Sequence, residues 1–407
     1  MSPTSLVDDT IQVFKRVAIW PDAPMEIELA KRLEKVQGKP GRLRIKLGLD
    51  PSSPDLHVGH AVLLLLLRDL QRLGHTIVLI VGDATAMVGD PSGRNKLRPQ
   101  LSRADVNANL ATYTAQAGIL LDMQRTEVRR NAEWFDALDF EGLLRLLGRR
   151  TVAQTLARED FQKRLAEDVP IGLHELFYPV MQGWDSVMVR SDVELGGTDQ
   201  LFNLLVGRDL QVQEGQEPQI VAMTPLINGT DGRKMSKSYG NAIGLTDPPG
   251  EIFGKTMRLP DPAMEVWFNL LTRIPAEEYR GLLAGDLRAA KARLAWELVQ
   301  LVHGRAAADH ARDEFDRVHK HKERPAEIPE ASFALPAEGA PLAVVLREIK
   351  LASSGSEARR LITQGGVRVD DEVVRDPNAL LKPVKPGFLL QVGPRRFLRL
   401  VVSTSAT

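Results

Sequence analysis

The sequence predicts an α/β protein in which a parallel sheet carries a helical insertion and is followed by an α-helical domain and a small α+β domain. Three observations predict this. RLRIKLGL (42–49) reads as a strand, PSSPD turns the chain, and LHVGHAVLLLLLRDLQRLG follows with helical periodicity before a second strand, TIVLIVGD. Such a β-α-β unit implies parallel strands and a right-handed crossover. Helical patterning then dominates from about 102 to 190, after which SDVELGGTDQLFNLLVGRDLQ and PQIVAMTPLI restore strand and helix signals, the mark of an insertion between two halves of one α/β domain. Finally, 407 residues exceed what one hydrophobic core usually serves, so two or three domains are expected.

Each element has a local reason. Ser53 with Pro54 suits an N-cap followed by the first helical position of the first crossover helix. Residues 1–246 are assigned to the α/β domain, with its insertion at about 102–190. From 247 to 322 the pattern is helical, punctuated at DPPG and LPDP and amphipathic around AKARLAWELVQLVHG. ERPAEIPEASFALPAEGAP carries four prolines, so 323–340 reads as an extended linker to a tail domain at 341–407.

Composition narrows the function classes. The start, MSPTSLVDDTIQVFKRVAIW, fails as a secretory signal, and the apolar run Ala61–Leu67 is too short for a bilayer, so a cytoplasmic protein without membrane contact is expected. No cysteine is present, which excludes disulfides, thiolate nucleophiles and Cys-ligated zinc. The net charge is zero, but eleven Lys plus Arg against six Asp plus Glu from Pro341 to Thr407 make the tail +5. A local basic patch of this kind fits nucleic acid.

Two motifs carry chemistry. His57-Val58-Gly59-His60 opens the first helix after a strand and places both imidazoles at its first turn, where N–H groups and the helix dipole attract phosphate and Gly59 admits a flat base. Alone, H-x-G-H fits two satisfied surface histidines equally well, and a zinc pair would have only Asp50 as an obvious third ligand, so no metal site is assigned. Lys234-Met235-Ser236-Lys237-Ser238 follows a turn at NGTDGR, with Gly232 and Gly240 as hinges of a cationic loop. A single such pentapeptide is more often a solvated loop; the two motifs in this order and context are not.

On these motifs the chain resembles the class I aminoacyl-tRNA synthetases, and within them the tyrosyl-tRNA synthetases through GLDP (48–51), GDPSG (89–93), YPVMQGWD (178–185) and GGTDQ (196–200). The resemblance implies a nucleotide-binding Rossmann-like fold and an ATP site of Asp50, His57, Gly59, His60, Gly197, Asp199, Gln200, Lys234, Met235, Ser236, Lys237 and Ser238. Of these, His57, His60, Lys234 and Lys237 would stabilise charge on the phosphates of Mg-bound ATP. It also implies a tyrosine site of Gly48, Asp90, Tyr178, Gln182, Asp185 and Gln200, in which Asp185 accepts the phenolic hydrogen and Tyr178, Gln182 and Asp90 hold the α-ammonium. Spacings of four and three put Tyr178, Gln182 and Asp185 on one helical face. Asp50 and Asp199 would hold the amino-acid or ribose side.

The tail, Leu351–Asp370, resembles the small RNA-binding domain shared by a ribosomal small-subunit protein, some pseudouridine synthases and bacterial tyrosyl-tRNA synthetases, which implies that Arg359, Arg360 and Arg368 face phosphates. Expected partners are L-tyrosine, ATP, tRNA(Tyr) and a second copy of the chain, joined near Thr151–Phe161. A tryptophanyl-tRNA synthetase is the alternative, and Asp185 argues against it. Lys46 stands where many relatives have a tyrosine, Glu194 where glutamine is common, and Leu63 and Arg94 also differ from familiar residues near ATP; none is assigned a role, and Lys46 fits a surface strand position.

Overall fold

The computed structural model describes residues 3–36, 42–51, 54–92, 101–233, 235, 239–320, 328–384, 387–393 and 396–404. The chain divides into two compact units, Met1–Ala308 and Asp309–Thr407.

In the first unit, five strands form one parallel sheet: β1 (Arg44–Leu49), β2 (Thr76–Val81), β3 (Thr126–Arg130), β4 (Val193–Gly197) and β5 (Ile220–Thr224), in the order β3-β2-β1-β4-β5. Strands β2, β4 and β5 are almost wholly buried, as sheets covered on both faces require. The strand order reverses between β1 and β4, so the ligand crevice of an open α/β sheet lies at their carboxyl ends. Between β1 and β2 runs α1 (Val58–Arg72), whose residues Ala61, Leu64, Leu65, Leu67 and Leu70 are buried.

Two expectations are corrected here. The N-cap of α1 is His57, four residues beyond Ser53, which lies outside the described residues. A cap must bond the N–H groups of the first turn, and the His57 ring does so. The expected insertion also contains β3: TEVRR has no apolar run because it is an edge strand, open on one side, and so gives no strand signal. Its pairing with β2 over Ile77↔Thr126 to Val81↔Arg130 leaves the helical insertion proper after Arg130.

Helix α2 (Leu173–Val189) ends that insertion and α3 (Leu201–Gln213) follows β4; the two pack side by side. The helices Pro249–Thr256, Met264–Leu271, Ala276–Ala284 and Leu287–His303 belong to the same compact unit as the sheet. They are tied to it by Arg273, which pairs with Asp69 of α1 at 2.5 Å and donates to the Leu65 carbonyl at 3.1 Å.

The second unit holds a five-stranded sheet in the order Glu330–Leu335, Arg396–Thr404, Gly387–Val392, Val367–Val369, Glu372–Val374, covered by helices Leu342–Glu348 and Gly355–Thr363. Leu346, Ile362, Val367, Leu390 and Leu400 fill its core. Glu330–Leu335, expected in the linker, pairs in parallel with Arg396–Thr404 and is therefore part of this domain. The prolines at 329 and 336 flank the strand without interrupting its ladder, which is why a proline count misreads it.

Candidate active site

The crevice is built from the ends of β1 and β4 and from the pocket-facing side of α2. At the end of β1, the Asp50 carboxylate accepts from Thr85 Oγ1 at 2.7 Å and from Tyr178 OH at 2.9 Å. Gly82 makes this possible: a β-carbon there would stand 2.0 Å from Asp50 Oδ1 and 2.3 Å from Thr85 Oγ1. Burial, and then the adjacent Asp50 charge, push the Tyr178 phenol well above its ordinary pKa, so it stays a donor. Over Gly48 nothing lies within 4 Å of where a side chain would start, leaving the pocket floor open.

Deeper in, Asp185 is 3% exposed. Its oxygens accept from Trp134 Nε1 at 3.0 Å and Asn131 Nδ2 at 3.3 Å. Burial lifts its pKa from 3.8 to about 7, opposed by the Lys46 charge and the two donors. Lys46 is not a surface residue. It is fully buried, pairing with Glu194 at 2.9 Å across the β1–β4 register and donating to Ser186 Oγ at 2.8 Å and the Gln182 carbonyl at 2.9 Å. A lysine in a strand is normally solvated, so nothing in the sequence marks this one as paired.

Toward the mouth, Asp90 accepts from Ser92 N at 2.8 Å and Ser92 Oγ at 2.6 Å through Oδ1, and from Gln200 Nε2 at 2.9 Å through Oδ2. Gln182 Nε2 donates to Glu194 Oε1 at 3.4 Å, and the amide oxygens of Gln182 and Gln200 both accept from Asn203 Nδ2 at 3.0 Å. The fold thus brings Asp50, Tyr178, Gln182, Asp185, Asp90 and Gln200 into one connected cluster.

At the start of α1, His57 Nδ1 accepts from Gly59 N and His60 Nδ1 from His57 N, each at 3.1 Å, with the rings 4.0 Å apart. With both Nδ1 atoms acting as acceptors, each neutral ring carries its proton on Nε2. A β-carbon at Gly59 would stand 2.8 Å from the His57 ring, so a glycine at this position gives that ring its place. Met235 is buried with its sulfur 3.8 Å from the same point. Lys234, Ser236, Lys237 and Ser238 lie outside the described residues. The start of α1 is bonded to a segment downstream of that motif: Val58 N donates to the Ile243 carbonyl at 2.9 Å and Leu245 N to the Leu56 carbonyl at 3.0 Å. Gly197 and Asp199 follow directly at the end of β4.

The family described as "tRNA synthetases class I (W and Y)" matches residues 39–320, and the S4 domain matches 341–385. A tyrosine–tRNA ligase of Thermotoga maritima is 46% identical over 97% of this chain and 97% of its own length. That of Carboxydothermus hydrogenoformans is 47% identical over 98% and 99%. The chain belongs to the tyrosine–tRNA ligase family. Among solved structures, the C-terminally truncated Aspergillus nidulans mitochondrial tyrosyl-tRNA synthetase shares the fold with a TM-score of 0.64 at 23% identity, covering 78% of this chain and 99% of that one.

The S4 match, at 341–385, falls within the second unit. There Arg359 and Arg360 lie exposed on the helix Gly355–Thr363, whose Ala358 and Ile362 are buried, and Arg368 is exposed on Val367–Val369, donating to the Asp371 carbonyl at 3.2 Å. Sequence reasoning missed Gly82, Asn131, Trp134, Arg158 and Asn203. Asn203, three residues after Gln200 at a helix start, carried the only local hint, a shared helical face.

Proposed function

We propose that this chain activates L-tyrosine with ATP, releasing pyrophosphate, and transfers the tyrosyl group to the 3′ end of tRNA(Tyr). The observation that carries the reading is the buried Asp185 carboxylate on the same helix as Tyr178 and Gln182, with Tyr178 bonded to Asp50 and Gln200 to Asp90. A phenol donor meets an acceptor at one end and an ammonium meets acceptors at the other. Gly48 leaves open space at the end of β1, and Gln200 lies beside Asp90.

Activation joins the tyrosine carboxylate oxygen to the α-phosphorus and breaks the bond to the leaving pyrophosphate, so no catalytic base is needed. Alignment and charge stabilisation are what the protein must supply. His57 and His60 are suited to donate through Nε2, and Lys234 and Lys237 to meet the phosphates from the loop; Met235, Ser236 and Ser238 shape that loop, and Gly59, Gly197, Asp199 and Gln200 border the nucleoside. Mg2+ enters on the ATP phosphates as part of the substrate. Arg359, Arg360 and Arg368 would meet tRNA phosphates, with the helical region 247–322 as the anticodon side. A cytoplasmic homodimer is proposed because Phe140, Leu144, Val152, Leu165 and Leu173 of the insertion are large apolar side chains left 51–85% exposed.

The test is amino-acid-dependent ATP–pyrophosphate exchange with each of the twenty amino acids. Tyrosine alone is expected to dominate. Dominance by tryptophan, which has no phenol for Asp185, would overturn the specificity.

A further inference from the structure

Arg158 is 5% exposed and lies in the helical insertion, in the loop before the helix Glu159–Ala166. It carries only donors. One, NH1, reaches Asn203 Oδ1 at 3.2 Å, and another, NH2, reaches Ser92 Oγ at 2.7 Å. Its Nε is 2.7 Å from Asp160 Oδ1, an ion pair. Asn203 is fully buried.

The polarity of the whole network follows from its ends. Because Arg158 only donates, the atom of Asn203 that faces it must be the oxygen, which turns Nδ2 toward the pocket. A donor there demands the amide oxygens of Gln182 and Gln200, both at 3.0 Å. Their Nε2 atoms must then find acceptors, and each meets a carboxylate, Glu194 for Gln182 and Asp90 for Gln200. Reversing either glutamine would set N–H against N–H at Asn203 and oxygen against carboxylate at the far end. Each amide oxygen has two lone pairs and gives one to Asn203, so the other suits an N–H donor of a ligand.

We propose that Arg158 and Asn203 are positioning residues that lock Gln182 and Gln200 with their amide oxygens presented to the α-ammonium of the amino-acid substrate. This rests on the tyrosine-ligase reading above. Ser92 extends the effect, since the hydroxyl held by Arg158 donates to Asp90.

The experiment uses the full chain as wild type, Asn203→Ala and Asn203→Asp. Binding of L-tyrosine and of 3-(4-hydroxyphenyl)propionate, which lacks the amino group, is measured by calorimetry beside the KM for ATP and the thermal midpoint. Asn203→Asp keeps the volume and the bond to Arg158 but turns an acceptor toward both glutamines. Both variants are expected to weaken tyrosine about tenfold, the value of about one net hydrogen bond. The desamino compound should change less than about twofold, since hydrogen bonds to a group it lacks contribute nothing to its binding, and the ATP KM should stay put. The Asp outcome is diagnostic, because added negative charge alone would strengthen ammonium binding. Equal losses for both ligands, or tyrosine binding by Asn203→Asp as tight as wild type, would overturn the positioning role alone. Failure of the unaltered protein to bind tyrosine would instead sink the ligase reading and this proposal with it.

Discussion

Replacing Lys46 with methionine removes the cation from an ion pair whose two side chains are 0% and 1% exposed. The Glu194 carboxylate would then sit buried with donors from Ser186, Gln219 and Gln182 but no opposing charge. Taking one partner from a buried pair typically costs about 3–5 kcal/mol, because desolvation of the survivor is no longer offset. Solvent screening does not reduce that figure, since water reaches neither group. For a unit of this size the thermal midpoint should fall by roughly 5–8 °C. Lys46→Met combined with Glu194→Gln replaces the charge by an amide of equal shape and should recover most of the loss, giving a coupling energy of about 2 kcal/mol or more in a double-mutant cycle. The assay is thermal and urea unfolding of the four proteins of the cycle at pH 8. If Lys46→Met alone costs less than about 1 kcal/mol, a loss within the range of ordinary substitutions, or if the double variant is no more stable than the single one, the pair is not what holds β1 to β4 at the pocket floor.

The remaining predictions concern pH and domain boundaries. With Asp185 titrating at about 7, tyrosine binding should weaken as pH falls through that value, because the protonated acid donates where the phenol needs an acceptor; Asp185→Asn should bind tyrosine poorly and without this pH step. Because its folded pKa lies above the unfolded one, the folded state holds the extra proton between about pH 4 and 7, and Asp185's contribution to stability declines as pH rises across that window, a slope that Asp185→Asn should remove in urea titrations. Truncation after Lys320 should leave tyrosine-dependent ATP–pyrophosphate exchange intact while tRNA charging at subsaturating tRNA falls sharply, since phosphate contacts position the nucleic acid; charging as fast as that of the full chain would show that the tail does not grip tRNA. A cut near Pro341 would leave behind Glu330–Leu335, the parallel partner of Arg396–Thr404, and is the worse boundary.

What the sequence made legible were features with a local period or a local motif. The first β-α-β unit and the Tyr178-Gln182-Asp185 face could be read because strand alternation and helical spacing are written over a few consecutive residues. What stayed hidden depends on partners far away in sequence. β3 is an edge strand with a polar sequence, and Lys46 became a core residue only because Glu194 lies opposite it on another strand. Arg158 and Asn203 meet across forty-five positions, and a charged residue in a helical insertion gives no sign that it will be buried.

The backbone bonds from Val58 to Ile243 and from Leu245 to Leu56 carry a consequence for synthesis. The helix start proposed to meet phosphate is translated early, yet the segment that clasps it emerges only after all five strands of the sheet. A nascent chain halted before Gly240 could pair β1 with β2, but would lack the clasp that sets the mouth of the nucleotide crevice. Contacts of such long sequence separation form late, after the local elements they join. The proposed ATP site is therefore complete only when the whole α/β body has been made.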